Sequence, residues 1–348
     1  MDISIPYYED KTRISNSNIG WFLNKGPAYL YKMLNEDCEG ETGSQLERGT
    51  MIHEYLLQPE EFLKDYVLWD KCRPSSSQEE KFCQALAFST EIEPNRAILD
   101  AFKQAYSTTG KSEDFMLSTG LKKASTLKDY IDFLKSMDKR KMITPYDYQM
   151  LKNIKNNIDA HKLASKLLAN RTMESPETFL TKLKENGYQR DAETLAVYHE
   201  FHINWEFDLD HIHVPCKSLL DGLILDFKNK HATIFDLKTT VKLWHFEESM
   251  QSYDYLRQLS FYMLAVQWYL KEECNEYAGE WDFDFYIIGI DTTGSYEIRV
   301  FKFNLSDMES SVIKITKAMR DIEWHLSTNN WEHSRCYYEG DGSESLNL

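Results

Sequence analysis

Asp236 and Lys238 lie two residues apart in the apolar stretch Ala232-Thr-Ile-Phe-Asp236-Leu-Lys238-Thr239. On a strand, side chains two apart share a face, so this acid and this amine project together while Leu237 points into the opposite layer. Asp221 stands just before the preceding apolar segment, and a hairpin turning at Asn229 to His231 brings its carboxylate next to Asp236. Two carboxylates at one site repel unless a cation intervenes, and oxygen-rich clusters of this kind suit Mg2+. Such a cluster, with an amine beside it, is equipped to hold a divalent cation.

The acid-x-Lys spacing alone does not single out this pair, because it recurs at Glu9/Lys11, Glu79/Lys81 and Asp226/Lys228. Context does. Asp236/Lys238 ends a clean apolar strand and has an acid on the strand before it, whereas Asp226 runs into the polar turn Lys228-Asn-Lys-His231 and reads as a solvated hairpin tip.

The elements that position these residues follow from pattern. Residues 197–207, 214–220, 223–227 and 232–239 are short, β-rich and separated by polar clusters, which predicts a strand meander. A helical stretch over 246–270 comes next, then a hairpin of 283–290 and 295–303 joined by Asp291-Thr-Thr-Gly294, and a last helix near 306–326. Upstream, 15–34 reads as one capped aromatic-rich helix, and Glu47-Arg48-Gly49-Thr50 leads into a second over 51–57. Residues 70–140 are charged and weakly patterned. Thr144-Pro145-Tyr146-Asp147 has the cap, first-turn proline and early acid of a helix start, and predicts a helix from about 145 to 170.

The 348 residues carry a net charge of −16, which argues against a protein that coats nucleic acid through bulk electrostatics. The charge is uneven: residues 121–171 hold 12 Lys or Arg against 5 Asp, so the rest of the chain stands at −23. At 100° per residue, Lys152, Lys155, Lys162 and Lys166 fall beside the apolar stripe of the expected helix, either as a solvated face or as a surface that tracks phosphates. Six cysteines without a C-x-x-C spacing suggest neither a zinc site nor a disulfide scaffold. The longest apolar run in the helical stretches, 261–266, is far short of a membrane span, and the opening MDISIPYYEDKTR lacks a signal-peptide apolar region, so a soluble cytoplasmic protein without membrane contact is expected.

Asp221 followed by Asp236-x-Lys238 resembles the core motif of the PD-(D/E)xK nuclease superfamily. Further segments are similar to its exonuclease VIII (RecE-type) branch: Ile14-Ser-Asn-Ser17 with Gly26-Pro27, Arg48-Gly-Thr-x-x-His53, Glu200 on the strand before the hairpin, Gln258-x-x-x-Tyr262, and Trp331. Leu220 stands where the branch usually has proline, and 172–190 looks like added loop. The resemblance implies an α/β, restriction-endonuclease-like core with a small mixed sheet flanked by helices and a helical N-terminal elaboration. The expected organisation is one nuclease domain, with a mainly helical part over 1–190, the sheet core over 191–303, and a C-terminal helix and tail over 304–348.

It also implies a site in which His53, Glu200, Asp221, Asp236 and the Leu237 carbonyl hold one or two Mg2+ or Mn2+ ions. Asp221, Asp236, Lys238, Glu200, Gln258 and Tyr262 then serve catalysis, and Arg257 is a phosphate contact. The activity implied is digestion of duplex DNA from free ends, 5′ to 3′, by a ring-shaped homo-oligomer working beside a single-strand annealing protein in phage-type recombination. Two rivals stand beside it. One is another enzyme of the superfamily, an endonuclease or a nuclease of CRISPR adaptation, although the iron–sulfur cysteines of the latter are missing. The other is a non-catalytic DNA-binding module on the same fold.

Overall fold

The computed structural model describes residues 5–36, 43–169, 172–186, 195–209 and 211–344. The expected boundary near residue 190, the end of the 172–190 segment and Arg171 lie outside these residues. The chain separates into two compact units, residues 1–59 with 150–348, and residues 60–149.

The first unit is built on a five-stranded sheet whose strands lie in chain order: β1 (Leu195–Leu209), β2 (Ile212–Asp226), β3 (His231–Thr240), β4 (Asp282–Asp291) and β5 (Ile298–Phe303). β1 and β2 form a long antiparallel ladder from Leu195↔Asp226 to Leu209↔Ile212, so the two segments expected at 214–220 and 223–227 are one continuous strand. β3 runs antiparallel to β2 and parallel to β4, and β4 and β5 are antiparallel. A parallel neighbour demands a crossover connection, and the helix α5 (Tyr255–Glu272) supplies it. Ile234, Phe235, Asp236 and Leu237 are all buried, which explains the unbroken apolar run of a central strand covered on both faces. The β4–β5 turn is held by the Asp291 carboxylate, which accepts from the Thr293 and Ser295 hydroxyls, both at 2.7 Å, and from the Tyr296 N–H.

α5 packs against β1, β2 and β3, and α6 (Leu305–Thr328) packs against α5. Trp205, Phe207, Phe261, Phe285 and Trp331 fill the shared core. Each such side chain contributes roughly 1.5–3 kcal/mol by leaving water. The single helix expected over 15–34 is two: α1 (Asn16–Lys25) starts on a Ser15/Asn18 capping box and stops at Gly26, whose φ of 84° is a left-handed turn, and Pro27 opens α2 (Pro27–Asn35). The expected second helix is longer, α3 (Ser44–Leu57).

α4 (Pro145–Ala160) ends ten residues earlier than the pattern predicts. His161 stops it: its Nδ1 accepts the N–H groups of Leu163 and Ala164 and caps a short helix, Ala164–Leu167. Lys162 therefore sits in a turn and Lys166 on a separate helix, so the four lysines do not share one helical face.

Residues 60–149 have a core of their own around Phe82, Cys83, Ile98, Phe102, Met116, Leu127 and Ile131. Four helices, Ser77–Ala87, Pro94–Ala105, Glu113–Thr126 and Lys128–Lys135, pack there, and Tyr66–Leu68 pairs in parallel with Lys141–Ile143. Among the described residues no helix is long and apolar enough to cross a membrane.

Candidate active site

The site forms where β2 and β3 part. Their ladder runs from Asp226↔His231 to Gly222↔Phe235 and stops, one residue short of Asp221 and Asp236. Beyond that point the Leu237 N–H is taken by a side chain: Asp221 Oδ2 accepts it at 2.7 Å. On the other side of β2, Glu200 faces Asp221 in register but is skipped by the β1–β2 ladder, which pairs His199↔Gly222 and Phe201↔Leu220. Glu200 has a φ of 49°, a left-handed conformation that costs a non-glycine residue about 1–3 kcal/mol. Gly222 is required beside it, because a Cβ there would fall 1.9 Å from the Phe235 ring.

His53 arrives from α3. Gly49 lets that helix approach β3 closely, since its Cβ position lies 3.2 Å from Thr239 Oγ1, and His53 follows one turn later on the same face. Its Nδ1 lies 3.5 Å from Asp221 Oδ2, and the Leu237 carbonyl faces the ring. His53, Glu200 and Asp221 each present a donor atom, all within 4.8 Å of one another. Burial, and Lys238 beside it, hold the imidazole below its ordinary value against the opposing pull of Asp221. Neutral imidazole is the ligating form. One imidazole nitrogen and two carboxylates, with a carbonyl at the edge, fit a divalent cation that prefers oxygen ligands.

Asp236 adjoins this trio, opposite Asp221 in the continued register of β2 and β3. Its Oδ2 is 2.6 Å from Lys238 Nζ, and its Oδ1 accepts from Gln258 Nε2 at 2.9 Å. The same amide nitrogen donates to Tyr262 OH at 2.8 Å. Burial, then the Asp221 charge, push the Asp236 carboxyl up to about 7 although Lys238 pulls it down. For Lys238 burial works against the charge, but Asp236 and Asp221 outweigh it and hold the ammonium above its ordinary value. Burial also raises Tyr262 far above the usual phenol range, so it stays a neutral hydrogen-bonding group.

The seven side chains expected at the site, His53, Glu200, Asp221, Asp236, Lys238, Gln258 and Tyr262, thus form two adjoining groups, an imidazole–carboxylate trio and a carboxylate–amine pair braced by an amide. Arg257 is different. It is 5% exposed, its Nη1 donates to the Asn16 carbonyl at 2.6 Å and its Nε to Asp254 at 3.2 Å, so it ties α1 to α5 and is not a phosphate contact. Lys152, Lys155, Lys162 and Lys166 are exposed, and Lys155 is paired with Asp159 at 2.6 Å. Asp226 is the expected hairpin tip: its carboxylate accepts the N–H groups of Lys228 and Asn229.

Three groups escaped the sequence reading. Tyr255 carries the Lys238 ammonium over its ring at 5.0 Å, and the spacing 255, 258, 262 on one helix face was a usable signal. Lys217 is buried and donates to the carbonyls of Tyr7 and Asp10, which pins the N-terminal segment to β2. Glu54, next to His53, has a buried Oε2 with no hydrogen-bond partner among the described residues, for which the sequence offered no signal.

A family model described as a PDDEXK-like domain of unknown function (DUF3799) matches residues 15–339. The chain belongs to that family. Its fold is accordingly of the PD-(D/E)xK nuclease class, a mixed α/β sheet flanked by helices. No curated protein matches this PDDEXK-like chain. Of the six solved chains that match, two serve for comparison. One, a candidate exonuclease from Eubacterium rectale, is 12% identical and aligns over 100% of this chain and 95% of its own with a TM-score of 0.48. The other, SSO0001, is also 12% identical, over 54% of this chain and 75% of its own, with a TM-score of 0.23.

Proposed function

We propose that this PDDEXK-like protein is a metal-dependent exonuclease that hydrolyses phosphodiesters from the ends of duplex DNA. The observation that carries the reading is the meeting of the Asp236–Lys238 pair with the His53, Glu200, Asp221 trio at the point where β2 and β3 part. A divalent ion held by His53, Glu200 and Asp221, Mg2+ or Mn2+, would supply Lewis acidity toward a phosphoryl oxygen and an acidified water. The protein's own groups do the rest. The Lys238 ammonium, kept protonated by Asp236, stands where charge develops on the phosphoryl oxygens, and a fixed cation at low dielectric stabilises that charge most effectively. Gln258 holds Asp236, and Tyr262 holds Gln258, so the Lys238 position is set before substrate arrives.

Further proposals rest on the RecE-type resemblance: 5′ to 3′ polarity, 3′ single-stranded tails for phage-type recombination, a homo-oligomeric ring, a single-strand annealing partner and a cytoplasmic place of work. The exposed lysines 152, 155, 162 and 166 are then part of the duplex-holding surface, as separate contacts. The deciding experiment incubates end-labelled linear duplex beside closed circular plasmid, with Mg2+ and then with EDTA. Loss of linear DNA alone, only with metal, is expected. Cleavage of the circle would make the protein an endonuclease, and binding without cleavage would make it a DNA-binding module.

A further inference from the structure

Beside the site, on the far side of Lys238, lies a cleft of about 370 Å3 lined by Arg48, Thr239, Thr240, Lys242, Tyr253 and Tyr255, among others. It is continuous with the chemistry: Thr239 and Thr240 follow Lys238 along β3, and Tyr255 both walls the cleft and lies under the Lys238 ammonium. One wall is an aromatic platform. Tyr253 and Tyr255 are stacked at 5.7 Å with their planes 15° apart, and Tyr253 is 67% exposed. The platform is held rigidly, because Asp254 between the two tyrosines adopts a φ of 51° and its carboxylate binds Arg257 and Lys314, the latter at 2.6 Å.

The rest of the lining carries two cations, one carboxylate (Glu248) and several hydroxyls in a chain whose net charge is −16. Lys242 meets Glu248 at 3.5 Å with both side chains exposed, an ion pair that a phosphate can displace at little cost. Stacked exposed rings that line one cleft with cations and hydroxyls are the combination that holds a single nucleotide strand, with bases stacked and phosphates neutralised. The volume lies at the low end of small-ligand sites, which admits one nucleotide and no duplex.

We propose that this cleft binds one unpaired nucleotide of the strand being cut, with its base on Tyr253 and its phosphate between Arg48 and Lys242. The assignment rests on the nuclease reading and deepens it: the strand separates from its complement before it reaches Lys238, and Tyr253 holds the separated base.

The test uses the full chain and a five-nucleotide single strand containing 2-aminopurine, whose fluorescence is quenched by stacking. Parent, Tyr253→Ala, Tyr253→Trp and Arg48→Gln are compared in EDTA for binding and in Mg2+ for cleavage of duplex ends, with circular dichroism to confirm folding. Tyr253→Ala should abolish the quench and raise KM by about tenfold or more with kcat nearly unchanged, and Tyr253→Trp should restore both. Arg48→Gln should raise KM while keeping the quench at saturating strand. Parental KM and quenching in Tyr253→Ala would overturn the inference even if the enzyme cleaves normally. A quench lost in Tyr253→Ala without cleavage by the parent would uphold the strand site and overturn the nuclease reading. Equal binding of 2-aminopurine nucleoside monophosphate and of the strand would make the cleft a mononucleotide site and overturn the assignment to a strand.

Discussion

In residues 60–149 acids and bases nearly cancel, 15 against 14, and they meet at the surface as local pairs such as Lys128–Asp132 and Lys103–Glu113. In the sheet unit the excess of acid is large and part of it goes inside: Asp236 and Asp221 are buried, and Lys238 and His53 are half covered against them. The two arrangements have opposite energetics. Exposed pairs add little to stability and cost little to lose. Buried ionised groups oppose folding unless partnered, and here two carboxylates adjoin and the Glu200 backbone is strained as well. A fold that keeps such a cluster bears a cost that an ion or a substrate phosphate relieves, which is the pattern of a working site.

The largest effect expected from this contrast is catalytic. Asp236→Ala and Lys238→Ala should each lower turnover by 10²-fold or more, the scale for removing a group that stabilises transition-state charge. Asp236→Asn should be as inactive yet unfold at the same temperature as the parent or higher, because burial already drives that carboxyl toward its neutral form. Single-turnover cleavage and thermal melts read the two properties separately. A folded Lys238→Ala enzyme with parental turnover would place the chemistry elsewhere.

The next effect is on stability and its sign is fixed by the same groups. The Asp236 carboxyl is raised from 3.8 to about 7, so across that interval the folded chain binds more protons than the unfolded one and loses stability as pH rises. His53 is shifted down, so its contribution falls as pH drops through its folded value and opposes Asp236 only below its ordinary 6.5. Metal-free protein should therefore melt at lower temperature as pH is taken from about 6.5 to about 7.5. Mn2+ or Mg2+ should restore the loss, and Asp236→Asn should flatten the slope. A melting temperature indifferent to both pH and cation would mean that the carboxylates do not share a charge-starved site.

How much of this was legible in the sequence differs between the two units for a physical reason. Strand alternation and the acid-x-Lys spacing place Asp236 and Lys238 on one face without any knowledge of packing, and the hairpin delivers Asp221. The mixed five-stranded sheet is the one the restriction-endonuclease-like pattern implies. By contrast, the helices of 77–135 escaped notice because they are short, with narrow apolar faces diluted by surface ion pairs, and their caps at Ser76, Glu93 and Ser112 are single residues in a polar background. Arg257 was misread because no local pattern shows that Asn16, 241 residues away, waits to receive it. The helix through residue 170 failed at His161, a residue whose helix propensity is ordinary and whose ring acts as a cap only in this fold.

The smallest effect is the sharpest discriminator, because Asp226 repeats the Asp236 spacing ten residues earlier in the same hairpin. Its carboxylate is spent on the turn, accepting the Lys228 and Asn229 N–H groups at 3.1 Å and the Asn229 amide at 2.7 Å. Those are bonds to groups with access to water, so Asp226→Ala should cost about 1 kcal/mol of stability. Turnover should stay within about twofold of the parent, since the turn lies at the end of the β2–β3 ladder opposite to the point where the strands part. Urea unfolding and end-labelled duplex cleavage on the same preparation measure both. A well-folded Asp226→Ala protein that does not cleave would move the reacting centre to the hairpin tip and make the Asp236–Lys238 pair a buried ion pair of structural use alone.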